Sequence, residues 1–493
     1  MFNFTSPHFD IDPRTGFLPA QAPPRRLTGA HERWELLLDQ ARSHLITPGA
    51  SPLVSEAQVA FAERWRRRVR KTPILSCVEI EKDVPNCRRA HHVLAFLTQF
   101  YVHSLPPRDA YLDPSAPIVI PAAIAIPFVA VSRRLGIAPI VTYADTVLWN
   151  WEKRDPDLPL SRDNIRICDL FTSSPQEEHF FLTSARVEIR GWEALDAMEA
   201  CVNESMCHTP NPAAIAHNLY RLSRAIDDIT SILLRVKDGL DPDFFYNHFR
   251  PWIQGADQGP DSPAWFYEGV DGFGLTLQPS GPSAGQSALM HSFDLFLDIP
   301  HQHSKSGLGG GCTRFNAALN PHNRNMDVCL PPLHPPVLLS HLPPTPPTSP
   351  IIVPMTLDPL PSSSGHPPEV DTSFNARMRS YMSQAHQDFL TQLERHSIRS
   401  FVDNYATQSP DLAEAYNSCV SALKRWRDAH IRVVTQFVII PARATAHANR
   451  SCTDEFNEPI GRTPVRGTGG TSLVPLLKIY RDNTLRRFIF PWA

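Results

Sequence analysis

Nine cysteines are scattered through this 493-residue chain and no two are spaced as a CxxC pair, which excludes a thiolate zinc ribbon and argues against a disulfide framework. That usage fits a reducing compartment, so a cytoplasmic location is expected. The amino terminus, MFNFTSPHFDIDPRTGFLP, has no basic segment leading into an apolar one, and no secretory signal is read there. The uncharged run at 116–132 contains Pro117, Pro121 and Pro127 and is short for a bilayer span. It reads instead as a buried, proline-started helix kinked at Pro127, and no membrane is expected as a partner. An excess of one charge is also missing. Lys plus Arg total 47 against 50 Asp plus Glu, a formal net charge of −3, which gives no pull toward nucleic acid. The basic run RWRRRVRK at 64–71 has Phe61, Trp65 and Val69 at four-residue steps, so it reads as the solvated face of an amphipathic helix.

Common catalytic signatures are absent as well. There is no GxSxG elbow, no HExxH helix and no dinucleotide fingerprint, and the glycine-rich RGTGGTSLVPLL at 466–477 lacks the lysine and spacing of a P-loop. It reads as a flexible loop ahead of a helix. The adjacent Asp227 and Asp228 lie beside an apolar stripe and read as a solvated face. His301 and His303 of HQHS are weak candidates for a metal.

What the chain does have is helical periodicity. Trp34, Leu37, Leu38, Ala41 and Leu45 form one stripe, and Ile215, Leu219, Leu222, Ile226, Ile229, Leu233 and Val236 alternate steps of three and four. Alternating strand patterns are scarce, so the fold class expected is all-α. With 42% hydrophobic residues the chain can bury a large core. From 301 to 370, 15 of the 70 residues are proline, which rules out helix through most of that stretch. Helical spacing resumes at SFNARMRSYM, so the proline-rich stretch reads as a mobile surface insertion within a domain. The segment KRWRDAHIRVVTQFVIIPA, 424–442, places His430 on the same helical side as Leu423, Trp426, Val433, Val434 and Phe437. A buried imidazole needs a partner. A backbone carbonyl is the ordinary one, but a large helical domain can also ligate haem through a single histidine. Arg427, one turn earlier, could then reach a propionate.

Six segments in order, HFDIDPRTGFLP, YADTVLWNWEKRDPDLPL, HFFLTS, PSAGQS, LKRWRDAHIRVVTQFVIIPA and RGTGGT, resemble the signature segments of the indoleamine 2,3-dioxygenase family. The resemblance implies an all-helical haem protein with a small N-terminal helical domain and linker at 1–170. A large helical haem domain would follow at 171–493, interrupted at about 301–370. It also implies one haem b per chain, L-tryptophan and O2 as partners, N-formylkynurenine as product on the kynurenine route toward NAD, and a monomer.

Under that resemblance His430 matches the proximal iron ligand, and Arg427 and Asp294 match a pair near the haem propionates, although a structural salt bridge would look the same in sequence. Ser283 and Ala284 match small residues on the distal side. Tyr143, Phe180 and Ser184 match distal pocket positions, Phe180 and Ser184 sharing a helical face. Arg250 aligns with the arginine that clamps the substrate carboxylate, Phe245 with an aromatic pocket residue, and Thr468 with a loop residue that closes over substrate. No matched distal position is a histidine and serines are poor bases, so no residue is assigned as a general acid or base. Pro282 stands where the family commonly has glycine. A haem-binding sensor with little turnover is the alternative. A haem peroxidase expects a distal histidine–arginine pair, which this pattern lacks.

Overall fold

A computed structural model describes residues 1–45, 55–106, 116–259, 262–300, 373–450, 465–468 and 470–489. The proline-rich stretch at 301–370, with His301 and His303, lies outside the described residues. The chain runs through α1 (Glu32–His44), α2 (Glu56–Lys71), α3 (Val84–His103), β1 (Ile118–Ile120), α4 (Ala122–Leu135), β2 (Trp151–Glu152), β3 (Arg166–Ile167), α5 (Pro175–Ser205) and α6 (Pro212–Leu234). Then come β4 (Trp265–Glu268), β5 (Gly274–Leu277), α7 (Ala288–Phe296), α8 (Phe374–Arg379), α9 (Gln384–Leu393), α10 (Arg399–Tyr405), α11 (Pro410–Val434), α12 (Ile440–Arg450) and α13 (Leu473–Leu485). The expected all-α architecture is what the chain adopts, with only short strands.

Local chemistry starts the helices. Ser55 and Gln58 form a reciprocal capping box before α2, Ser174 accepts from the Gln176 amide with Pro175 at the first position of α5, and Asn211 caps α6 ahead of Pro212. Packing then selects the long elements. The stripe Ile215, Leu219, Leu222, Ile226 and Ile229 is fully buried, and α6 packs along both α5 and α11. One apolar cluster runs from Phe4 to Val438. The N-terminal segment joins it by packing Phe4, Phe9 and Phe17 around Phe389 of α9.

The stretch 116–132, expected as a single helix, is divided. Ile118–Ile120 pairs in parallel with Trp265–Tyr267, Pro121 is extended, and the helix begins at Ala122 and continues through Pro127. The edge offered by β4, itself antiparallel to β5, satisfies backbone groups that a helix would otherwise have bonded internally.

Among the described residues three wide π turns interrupt the helical order, at Ala144–Leu148, Phe244–Phe249 and Thr435–Ile439. Each adds a residue to a turn and rotates the side chains that follow it. All three adjoin residues singled out above: Tyr143, Phe245 with Arg250, and the segment following His430.

Candidate haem and substrate site

Phe180 and Ser184 lie one turn apart on α5, which presents them on one face. Phe180 packs its ring against Phe245 at 5.1 Å and Phe249 at 5.6 Å, and Phe245 meets Phe437 at 6.0 Å. This aromatic wall therefore joins α5 to two of the π turns. Ser184 is half-buried and its hydroxyl makes no hydrogen bond with a described residue.

Arg250 follows the second π turn, directly beside this wall. It is 7% exposed, donates from one nitrogen to the Arg466 carbonyl at 2.7 Å, and lies over the Tyr246 ring at 5.4 Å. Burial pulls its pKa below the ordinary arginine value, with Tyr246 alone opposing. A charged fork held out of water beside aromatic rings, with one neutral acceptor and no carboxylate among the described residues, can take a bidentate anion.

His430 sits near the end of α11, stacked on Trp426 at 5.4 Å. Its ring makes no hydrogen bond with a described residue, and burial, helped by the charge of Arg427, pulls its pKa down to about 4. The imidazole is thus neutral at physiological pH with a lone pair to offer, which is the form that binds a metal. The buried cysteines Cys77 and Cys87 do not compete. Burial pushes the Cys77 thiol up to about 12 and Cys87 to about 11, which disfavours the ligating thiolate. Among the described residues no cluster of three or more His, Cys, Asp or Glu could hold a metal ion by itself. One neutral histidine at an apolar wall fits a metal whose remaining ligands come from a macrocycle, and so fits haem. Arg427 is not free in the same way. Its guanidinium donates to Asp294, the Tyr480 carbonyl and the Thr484 hydroxyl, tying α11 to α7 and α13.

Tyr143 is buried and its placement depends on a residue that the sequence reading missed. Its hydroxyl donates to Glu188 at 2.9 Å, the Ser287 hydroxyl donates to the same oxygen at 2.6 Å, and the Tyr143 amide donates to Gln286 at 2.8 Å. Burial pushes the Glu188 carboxyl up to about 7, against the pull of those hydroxyls. A signal was available, since Glu188 is one helical turn beyond Ser184. Ser283 uses its hydroxyl to accept from the Gly285 amide, and Ala284 beside it is exposed. Thr468 donates to the Pro282 carbonyl at 2.6 Å, so the glycine-rich loop rests on this segment. His179 donates to the Arg235 carbonyl and His248 is half-exposed near Asp243. Asp227 and Asp228, expected as a solvated face, pair with Arg425 and Arg190.

The structure thus joins Phe180, Phe245 and Phe437 in one wall that Arg250 adjoins, rests Thr468 on the segment of Pro282, Ser283 and Ala284, and ties Tyr143 to α5 at Glu188. His430 precedes, along the same run of helix, the π turn that carries Phe437. Arg427 and Asp294 contact each other and α13. Among the described residues no helix is long and apolar enough to cross a membrane.

Comparison with known proteins identifies the family of the chain. The family model described as Indoleamine 2,3-dioxygenase matches residues 5–487. The chain is 32% identical over 436 residues to Indoleamine 2,3-dioxygenase 2 of Homo sapiens, covering 88% of this chain and 87% of the relative. It is 26% identical to the 6-hydroxytryptophan 2,3-dioxygenase of Fusarium equiseti, covering 97% and 96% of the two chains. Identity to the Indoleamine 2,3-dioxygenase of Saccharomyces cerevisiae is 25%, over 96% of this chain and 92% of the yeast protein.

Proposed function

This chain belongs to the indoleamine 2,3-dioxygenase family and is a dioxygenase, and from that premise we propose that it binds one haem b through His430 and oxidises L-tryptophan with O2 to N-formylkynurenine. The observation that carries the substrate reading is Arg250: buried beside the wall of Phe180 and Phe245, charged, and without a carboxylate partner among the described residues. An aromatic amino acid supplies both the anion and the ring that such a site needs. The domain reading, 1–170 for the small helical domain and 171–493 for the haem domain, belongs to the same proposal, as does a monomer in a reducing cytoplasm. The six described cysteines, all unpaired, support the compartment.

Haem, when bound, supplies the redox chemistry that allows O2 to react with a closed-shell indole. The chain's own residues position the reactants. Arg250 would hold the substrate carboxylate in two bonds, and Phe180, Phe245 and Phe437 would flank the indole. The Ser184 hydroxyl is the uncommitted polar group on that wall. Glu188 holds the Tyr143 hydroxyl, so Tyr143 would present its ring. Thr468 and its loop would exclude water over the substrate. Both oxygen atoms enter the product as the indole C2–C3 bond is cleaved, so no external reductant is consumed in turnover. Among the described residues no histidine, aspartate or glutamate lies free on the Phe180 face, consistent with a reaction in which the protein abstracts no proton.

The test is product analysis of reduced, haem-loaded protein given L-tryptophan or 6-hydroxytryptophan in air. N-Formylkynurenine formed from tryptophan at the higher kcat/KM supports the reading. Preference for the hydroxylated substrate would reassign it, and full haem content without turnover would favour a haem-binding sensor. His430→Ala should stay helical by circular dichroism but lose the ferrous histidine-ligated spectrum. An unchanged spectrum would remove His430 as the ligand.

A further inference from the structure

The glycine-rich loop is held at its far end by groups outside the site described above. Asp257 lies just after the Arg250 segment and Arg377 lies on α8. The Asp257 carboxylate accepts from the Ser280 hydroxyl and from Arg377 at 3.1 Å, and the same Arg377 donates to Ser280 at 2.9 Å and to the Thr471 hydroxyl at 2.7 Å. Gly470, at φ +71°, packs its backbone onto the Asp257 carboxylate so closely that a Cβ there would collide with it. On the near side, the Gly281 amide donates to the Thr468 carbonyl at 3.0 Å and the Arg466 carbonyl accepts from Arg250. Three chain segments far apart in sequence thus meet at one half-buried ion pair, and the loop they grip supplies the only hydrogen-bond acceptor described for the Arg250 guanidinium.

We propose that Asp257 and Arg377 are positioning residues. Their ion pair, acting through Ser280 and Thr471, holds the loop residues 466–468 and 470–471 against the segment 279–284 and so keeps the Arg250 fork oriented for a carboxylate before substrate arrives. The inference rests on the reading of Arg250 as the carboxylate clamp. Its physical basis is pre-organisation: a loop that is closed only part of the time lowers apparent affinity by the fraction of time it is open. Neither Asp257 nor Arg377 touches the aromatic wall, so the pair acts on binding through the loop.

The test uses the haem-loaded full chain with Arg377→Leu, Arg377→Lys and Thr471→Val. Arg377→Leu should raise KM for L-tryptophan roughly tenfold, the effect of a closed population falling to about a tenth, with kcat changed less than about twofold. Hydrogen exchange at the Gly281, Gly467 and Gly470 amides, which are bonded within or to the loop, should quicken in parallel. Arg377→Lys, which keeps the charge, should recover part of both effects. Thr471→Val, which removes the hydroxyl bond to Arg377 and leaves the ion pair in place, should move KM and exchange in the same direction by less, and it serves if Arg377→Leu fails to fold. An unchanged KM with unchanged exchange overturns the proposal. So does a rise in KM matched by equal losses in kcat, haem content and melting temperature, which marks a purely structural role. Failure of the clamp reading looks different: Arg250→Ala would then impair tryptophan and a carboxylate-free indole equally, while Arg377→Leu would still quicken exchange in the loop.

Discussion

Two arginines of this protein are buried to a similar degree and have opposite surroundings. Arg89 of α3, 5% exposed, gives two bonds to Glu35 at 2.9 and 2.6 Å and another to Asp169, which Arg42 also contacts. Burial works against its charge, but Asp169 and Glu35 outweigh it and hold its pKa above the ordinary value. Arg250, 7% exposed, has one carbonyl and a tyrosine ring, and burial wins. The histidines repeat the contrast. His91 and His92 each place both ring nitrogens against acceptors, Asp145 and the Ala138 carbonyl for one, the Asp145 carbonyl and Asp169 for the other. His430 has a stacking partner and no hydrogen bond with a described residue. In the α1–α3 region buried charge is spent on holding the fold together. Around Phe180 it is kept under-bonded, which is the condition for binding something else.

The contrast predicts where each side chain shows its effect. Arg89→Ala leaves the buried Glu35 carboxylate without its arginine and Asp169 with Arg42 and His92 only, and should cost about 3–5 kcal/mol of stability by denaturant unfolding. A loss under 1 kcal/mol would mean that the network is solvated. Arg250→Ala should act on turnover. Loss of a desolvated carboxylate partner, about 3–5 kcal/mol in the bound state, corresponds to a fall in kcat/KM for L-tryptophan of about 100-fold to several thousand-fold. Haem content should be unchanged, and an indole lacking the carboxylate should be insensitive to the substitution.

Glu188 tests the border between the two regimes, since its carboxyl is buried and bonded only by hydroxyls. Its folded pKa, about 7, exceeds the ordinary 4.5. Below pH 4.5 the group is neutral in both states. As pH rises toward 7 the unfolded chain ionises first, so the group's contribution to stability declines, by on the order of 1–3 kcal/mol. Glu188→Gln keeps an acceptor for Tyr143 and Ser287 and should remove this part of the decline. Glu177, also pushed up to about 7, leaves a decline of the same sign. Melting temperatures at pH 5 and pH 7.5 measure it, and an identical slope in the variant would rule Glu188 out as its source. The smallest effect is expected for the stability of Arg250→Leu in the substrate-free protein. Removing an under-bonded buried charge should shift unfolding by less than about 1 kcal/mol, in either direction. A loss like that of Arg89→Ala would abolish the distinction between the two arginines.

The helical stripes, the lone histidine near the end of a long helix and the pairing of Phe180 with Ser184 were legible because each depends on spacing within one segment. The π turns were not, because an extra residue in a turn changes no composition and little of the pattern. The strand at Ile118–Ile120 was lost inside an apolar run that suits either structure, and only its pairing with β4 decided between them. Glu188 could have been found by extending the Ser184 face by one turn.

By itself the sequence determined which elements form and which of their faces are apolar, because helix periodicity, caps and prolines act over a few residues. Which polar groups go short of partners was decided only by tertiary structure. Arg89 and Arg250 are the same side chain on similarly apolar segments. The first is completed by carboxylates 54 and 80 residues away, and the second by one carbonyl 216 residues away. The physical reason is that the free energy of a buried charge depends on what surrounds it in space, and those surroundings exist only once distant segments have packed.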